Sequence, residues 1–103
     1  MEDTVIKAVK RYNYRIIARS KDKSRIKSII SLYGENGPLG NIYFVEASDV
    51  PNAVKREDNF ELYYHYEDFP AIIDMMRNEE SIFLVWQGPE DSLISTASEP
   101  FER

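Results

Sequence analysis

The chain has 103 residues, enough for one domain with a single core, and its 43% apolar and 30% charged residues fit a folded globular protein rather than a disordered tail. It has no cysteine, which excludes disulfides and thiolate chemistry and fits a reducing cytoplasm. Residues 1–28 hold nine of the thirteen bases and three acids, formally +6, while residues 29–103 are formally −11; such a split points to a charged partner or to a second copy of the chain.

Residues 1–11 read either as a helix, from the spacing of Val5, Ile6 and Val9, or as an extended basic arm, from their β-branched content. Tyr12 to Ser20 alternates and predicts a half-buried strand, with Tyr12, Tyr14, Ile16 and Ala18 facing the core and Asn13, Arg15, Ile17 and Arg19 facing away. The polar residues 20–24 predict a turn. Arg25 to Tyr33 predicts a second strand, with Ile26, Ile30 and Leu32 on one face and Ile29 and Tyr33 on the other. Gly34 to Gly40 predicts a loop, because Asn36-Gly37 favours positive φ and Pro38 cannot donate to a ladder.

Asn41 to Ala47 predicts a third strand, residues 48–58 an irregular segment around Pro51, and Asn59 to Tyr66 a fourth strand. On that strand Phe60, Leu62, Tyr64 and Tyr66 face inward, and Glu61, Tyr63 and His65 outward. Phe69, Ile72, Ile73 and Met76 have the spacing of one helical stripe. Glu67 and Asp68 supply negative charge at its start, and Pro70 is tolerated in the first turn. The unbroken apolar run Ile82 to Trp86 predicts a strand buried on both faces, hence central in the sheet. Leu93 to Ala97 predicts a last short strand, and residues 99–103 a tail.

The order β-β-β-β-α-β-β with short connections predicts a single α+β domain spanning residues 1–103. Its sheet is mostly antiparallel and twisted, with the helix packed on one face. A partly closed small barrel plugged by the helix is the alternative. No apolar run approaches the ~20 residues that span a bilayer, and the acidic start lacks a secretory h-region. A cytoplasmic protein without a membrane partner is expected.

The segment Tyr64 to Glu79, with Ile42 to Glu46 and Ser95 to Pro100, resembles stretches of small uncharacterised bacterial proteins of about this length. The resemblance covers roughly residues 28–100. It implies a bacterial protein and brings no activity or site.

Chemistry is sparsely encoded. His65 is the single histidine, and a base on a strand needs a nucleophile and an orienting partner from elsewhere. One histidine and no cysteine exclude the common zinc arrangements, and the adjacent acid pairs do not make a calcium loop. Gly34, Gly37 and Gly40 open a strand, so they form neither a dinucleotide nor a phosphate loop. No cofactor and no metal are expected. The binding candidates are the bases Lys10, Arg11, Arg15, Arg19 and Lys21, the outward tyrosines Tyr43 and Tyr63, with Trp86 at a rim, and His65. Bases interleaved with Tyr12 and Tyr14 could also meet phosphates and stack on nucleobases, although the acidic total opposes nucleic acid. The leading expectation is a non-catalytic protein-interaction module that self-associates, with a homodimer steered by charge. Nucleic-acid binding through the amino-terminal ribbon comes next, then a small hydrolase or isomerase built around His65.

Overall fold

The computed structural model describes residues 4–17, 25–57 and 59–97. Its elements are β1 (Val5–Val9), β2 (Arg11–Ile16), β3 (Ile26–Gly34), β4 (Gly37–Val45), β5 (Val54–Arg56), β6 (Asn59–His65), a 3-10 turn (Tyr66–Asp68), α1 (Phe69–Asn78), β7 (Ile82–Trp86) and β8 (Leu93–Ser95). The fold is α+β. The strands divide between two sheets, in the orders β1-β7-β8 and β2-β3-β4-β6-β5, where one sheet or a plugged barrel was expected. All pairings are antiparallel except β4 with β6. Residues 46–58, which include β5, connect β4 to β6 and let β6 return in the same direction.

One core joins both sheets and the helix. Ile30, Leu32, Ile42, Phe44, Phe60 and Leu62 from the large sheet meet Ile73 and Met76 of α1 and Ile82, Leu84, Trp86 and Ile94 of the small sheet. The period of two in each strand sends these residues to one face. The helical stripe appears as expected: Ile73 and Met76 are buried, and Phe69 and Ile72 pack against them. Phe69 places its ring edge-on against Phe44, at 5.1 Å between centroids. Ile82 to Trp86 is central, as expected, but in the three-stranded sheet. Tyr64 ties the layers together, since its hydroxyl accepts from the Ile94 N–H at 3.3 Å.

Several boundaries differ from the sequence reading. Val5–Val9 is a strand, not a helix, because pairing with β7 packs Val5 and Val9, half-buried, against the core. At Lys10 the chain leaves one sheet for the other. The Lys10 N–H donates to the Tyr33 carbonyl at 2.7 Å, one residue out of step with the β2–β3 register, as at a β-bulge. The Gly34–Gly40 loop shrinks to the two residues Glu35-Asn36, and β4 runs through Pro38, which sits at a register shift. β5 lies inside the segment expected to be irregular. Tyr66 belongs to the 3-10 turn and is exposed, not inward-facing.

Gly40 is what allows β4 and β6 to lie together. It faces Phe60 in the parallel pair with φ +150. A Cβ there would run into the Phe60 carbonyl oxygen and sit 2.7 Å from that residue's carbonyl carbon and amide nitrogen. Only glycine combines this φ with so close an approach.

Candidate functional site

With Ile30, Leu32, Ile42, Phe44, Phe60 and Leu62 turned to the core, the residues that alternate with them form the opposite face of the large sheet, and it is partly exposed. Strand register assembles that face in rows. Arg15, Ile29, Tyr43 and Tyr63 succeed one another across β2, β3, β4 and β6. Asn13, Ser31, Asn41 and Glu61 form the next row, and Arg11 and Tyr33 begin a third. The residues come from four strands and from sequence positions as far apart as 11 and 63, so the parallel β4–β6 pair is essential to their meeting.

The tyrosines are held in place by their neighbours. Tyr43 and Tyr63 stack with centroids 5.2 Å apart and planes inclined by 23°. The Asn41 side-chain amide donates to the Tyr43 hydroxyl at 3.2 Å, and the Tyr63 hydroxyl donates to the Glu61 carboxylate at 3.1 Å. Arg56 reaches the other oxygen of Glu61 at 3.1 Å. Partial burial, and then the bond to the Glu61 carboxylate, hold the Tyr63 hydroxyl above its ordinary value of 10.0. Arg11 lies over the Tyr33 ring, 5.3 Å from its centroid. The face therefore offers flat aromatic surface, amide and hydroxyl groups, and two arginines at the β2 side.

Among the residues singled out by sequence, Arg11, Arg15, Tyr43, Tyr63 and His65 all lie on this face, while Lys10 sits at the corner between the sheets. Arg19 and Lys21 lie outside the described residues. Tyr12 and Tyr14 do not share the face of the arginines. They point to the core side, where Tyr12 packs against the core and Tyr14 stands edge-on to Phe69 at 6.0 Å. The tyrosines beside the arginines are instead Tyr33, Tyr43 and Tyr63. Trp86 is 5% exposed and packs near Phe60, so it belongs to the core and not to a rim. Tyr33, Ile29, Asn13 and Asn41 went unselected as site residues; their signal was the shared alternation of the four strands.

His65 serves the local structure. Its Nδ1 accepts from the Glu67 N–H at 3.3 Å and caps the 3-10 turn, and its ring lies 4.7 Å from that of Tyr66. The Glu67 carboxylate, 73% exposed, is also 3.3 Å from Nδ1. A shallow depression beside it is lined by Arg25, Glu46, Ser48 and Tyr66. Among the described residues no three His, Asp or Glu side chains gather as a metal site, and no helix is long and apolar enough to cross a membrane.

Comparison with known protein families, with curated proteins and with solved structures gives no match to the chain.

Proposed function

We propose that the chain is a non-catalytic, self-associating protein-interaction module that meets its partner with the open face of the five-stranded sheet. The observation that carries this reading is the single row Arg15–Ile29–Tyr43–Tyr63, which crosses four strands on a partly exposed face. Tyrosine and arginine are the residues that protein interfaces favour, because they join broad apolar contact to directed hydrogen bonds. The partner this face suits is an acidic protein segment. Arg11 and Arg15 are exposed at the β2 side, where carboxylates can reach them, and the stacked tyrosines supply apolar area alongside.

Glu61, with its side chain 13% exposed, places a carboxylate within the same face, and the chain is −5 overall. Both oppose a strongly anionic partner, and they weigh most against a phosphate backbone, which carries charge at every unit and binds chiefly by neutralising it, whereas an acidic protein segment also brings apolar side chains to the stacked tyrosines. The test is fluorescence anisotropy with a labelled glutamate-rich peptide containing interspersed leucines, set against a mixed-sequence oligonucleotide. Peptide binding that Arg15→Glu weakens at least about tenfold, roughly 1.4 kcal/mol, is the expected result. Preference for the oligonucleotide would replace the protein reading with the nucleic-acid one. A peptide affinity indifferent to both Arg15→Glu and Tyr43→Ala would remove the face from the account.

A further inference from the structure

We propose that two copies of the chain pair antiparallel through β2, in a register centred on Tyr14, and that this pairing completes the arginine site of the open face; the second half rests on the function proposed above. β2 is an edge of the five-stranded sheet and has no outer partner strand among the described residues. At six residues it is the longest edge strand of either sheet, against three for β5 and β8 and five for β1. It contains no proline. Its charged side chains, Arg11 and Arg15, lie on the open face, and an edge strand of this length is a template for another strand. Of the four large apolar side chains exposed among the described residues, two lie on β2: Tyr14, 49% exposed, and Ile16, 66% exposed.

Backbone hydrogen bonding fixes which groups are available. The Ile17 N–H donates to the Lys27 carbonyl at 2.9 Å, in step with the register that pairs Arg15 with Ile29 and Asn13 with Ser31. The alternation of an antiparallel ladder then turns the backbone groups of Asn13, Arg15 and Ile17 towards β3, and those of Tyr12, Tyr14 and Ile16 towards the free edge. A second copy must bond through these same three residues.

Three two-fold registers match at least two of them. Centred on Asn13, the pairing sets Arg11 opposite Arg15 of the other copy. Centred on Arg15, it sets Arg15 opposite itself. Like charges directly opposed are destabilising. Centred on Tyr14, it sets Arg15 opposite Asn13, Tyr14 opposite Tyr14, and Ile16 opposite Tyr12. This register alone uses all three outward residues, making about six backbone bonds, and it covers both exposed apolar side chains with aromatic partners.

A two-fold axis normal to the sheet keeps both open faces on the same side. The two five-stranded sheets become one of ten strands, with Arg11 and Arg15 of both copies clustered at its centre and tyrosines on either side. One copy contributes two arginines; the dimer presents four to an acidic segment. The copies join by backbone bonds and apolar contact, with the arginines at diagonal positions. Raising the salt to about 1 M, where the Debye length is about 3 Å, therefore does not weaken this dimer, unlike one held together by bases on acids.

The chain has no cysteine, so single-cysteine variants report the register. Tyr14 faces its own counterpart, with Cα atoms about 5.5 Å apart, a separation that a disulfide spans. Tyr14→Cys should form a covalent dimer on mild oxidation. Tyr12→Cys and Ile16→Cys should each stay monomeric under denaturing electrophoresis, since each lies about 13 Å from its own counterpart, yet link when mixed. Ile16→Pro removes only an outward N–H and should raise the dimer dissociation constant at least about tenfold, with circular dichroism showing the sheet retained. A wild-type chain that sediments as a monomer at tens of micromolar, or an Ile16→Cys that links to itself while Tyr14→Cys does not, would overturn the pairing. Glutamate-rich peptide binding by an Ile16→Pro monomer with unchanged affinity would overturn the claim that pairing completes the arginine site, while leaving the open-face reading intact. A dimer in this register that ignores the peptide would retain the pairing and reject the acidic partner.

Discussion

Replacing Gly40 by alanine tests the junction on which the open face depends. Two costs add at this position. The φ of +150 is one that side-chain-bearing residues rarely adopt, a penalty of about 1–3 kcal/mol. The new methyl group would also collide with backbone of Phe60, which cannot swing aside as a side-chain end could. Relief requires β4 and β6 to separate around Gly40–Phe60, and bonds of the Gly40–Val45 and Phe60–His65 ladder are lost at about 1 kcal/mol each. With about three such bonds lost, the total is about 4–6 kcal/mol, large against an expected stability of roughly 5–15 kcal/mol for such a domain. Gly37 provides the internal control. It too has a positive φ, +133, but a Cβ there meets nothing within 4 Å, so Gly37→Ala carries only the backbone term of about 1–3 kcal/mol. Urea denaturation of both variants, followed by tryptophan fluorescence, gives the comparison. Equal losses would show that the parallel β4–β6 contact is not as close as described.

Ile73→Ala should cost about 2–5 kcal/mol because it leaves a cavity between the sheets and the helix; Asp74→Ala, one residue on and exposed, should cost under about 0.5 kcal/mol, as read from thermal melts. Tyr64→Phe leaves the Ile94 N–H without its acceptor and should cost about 0.5–1.5 kcal/mol at neutral pH. Burial holds the Tyr64 hydroxyl above 10.0, outweighing the Ile94 bond that lowers it. The unfolded chain therefore loses this proton first. The contribution is whole below pH 10 and is lost as pH rises through the folded value, so the alkaline fall in urea midpoint should be shallower in Tyr64→Phe. Glu61→Gln should leave the Tyr63 hydroxyl with a neutral acceptor and lower its titration towards the ordinary value, as followed by ultraviolet absorbance.

The elements with strong local signals were legible in sequence. The stripe from Phe69 to Met76 names its helix and its buried face because spacing alone sets both. Alternation in β3, β4 and β6 likewise predicts which side chains turn inward, and it puts Tyr43, Tyr63 and His65 outside. What alternation cannot supply is strand order. Tyr43 and Tyr63 meet because β6 lies parallel to β4, and that follows from packing of the whole core, not from either strand. Val5–Val9 was ambiguous because its spacing suits a helix while its β-branched residues suit a strand; pairing with β7 decides. Tyr12 and Tyr14 lie on the face opposite Arg15, as alternation predicts, yet Tyr14 and Ile16 are exposed, on a strand with no outer neighbour among the described residues. β5 was hidden in a polar segment, where three residues at an edge need no apolar alternation.

Amide hydrogen exchange, resolved by residue at low and high protein concentration, tests the central claim most directly. In one copy the N–H groups of Tyr12, Tyr14 and Ile16 point to the free edge, while that of Ile17 is bonded to Lys27. Edge pairing should slow exchange at Tyr12, Tyr14 and Ile16 as concentration rises and leave Asn13, Arg15 and Ile17 as they were. Slowing that is absent at all three, or that appears instead at Asn13 and Arg15, would contradict the account.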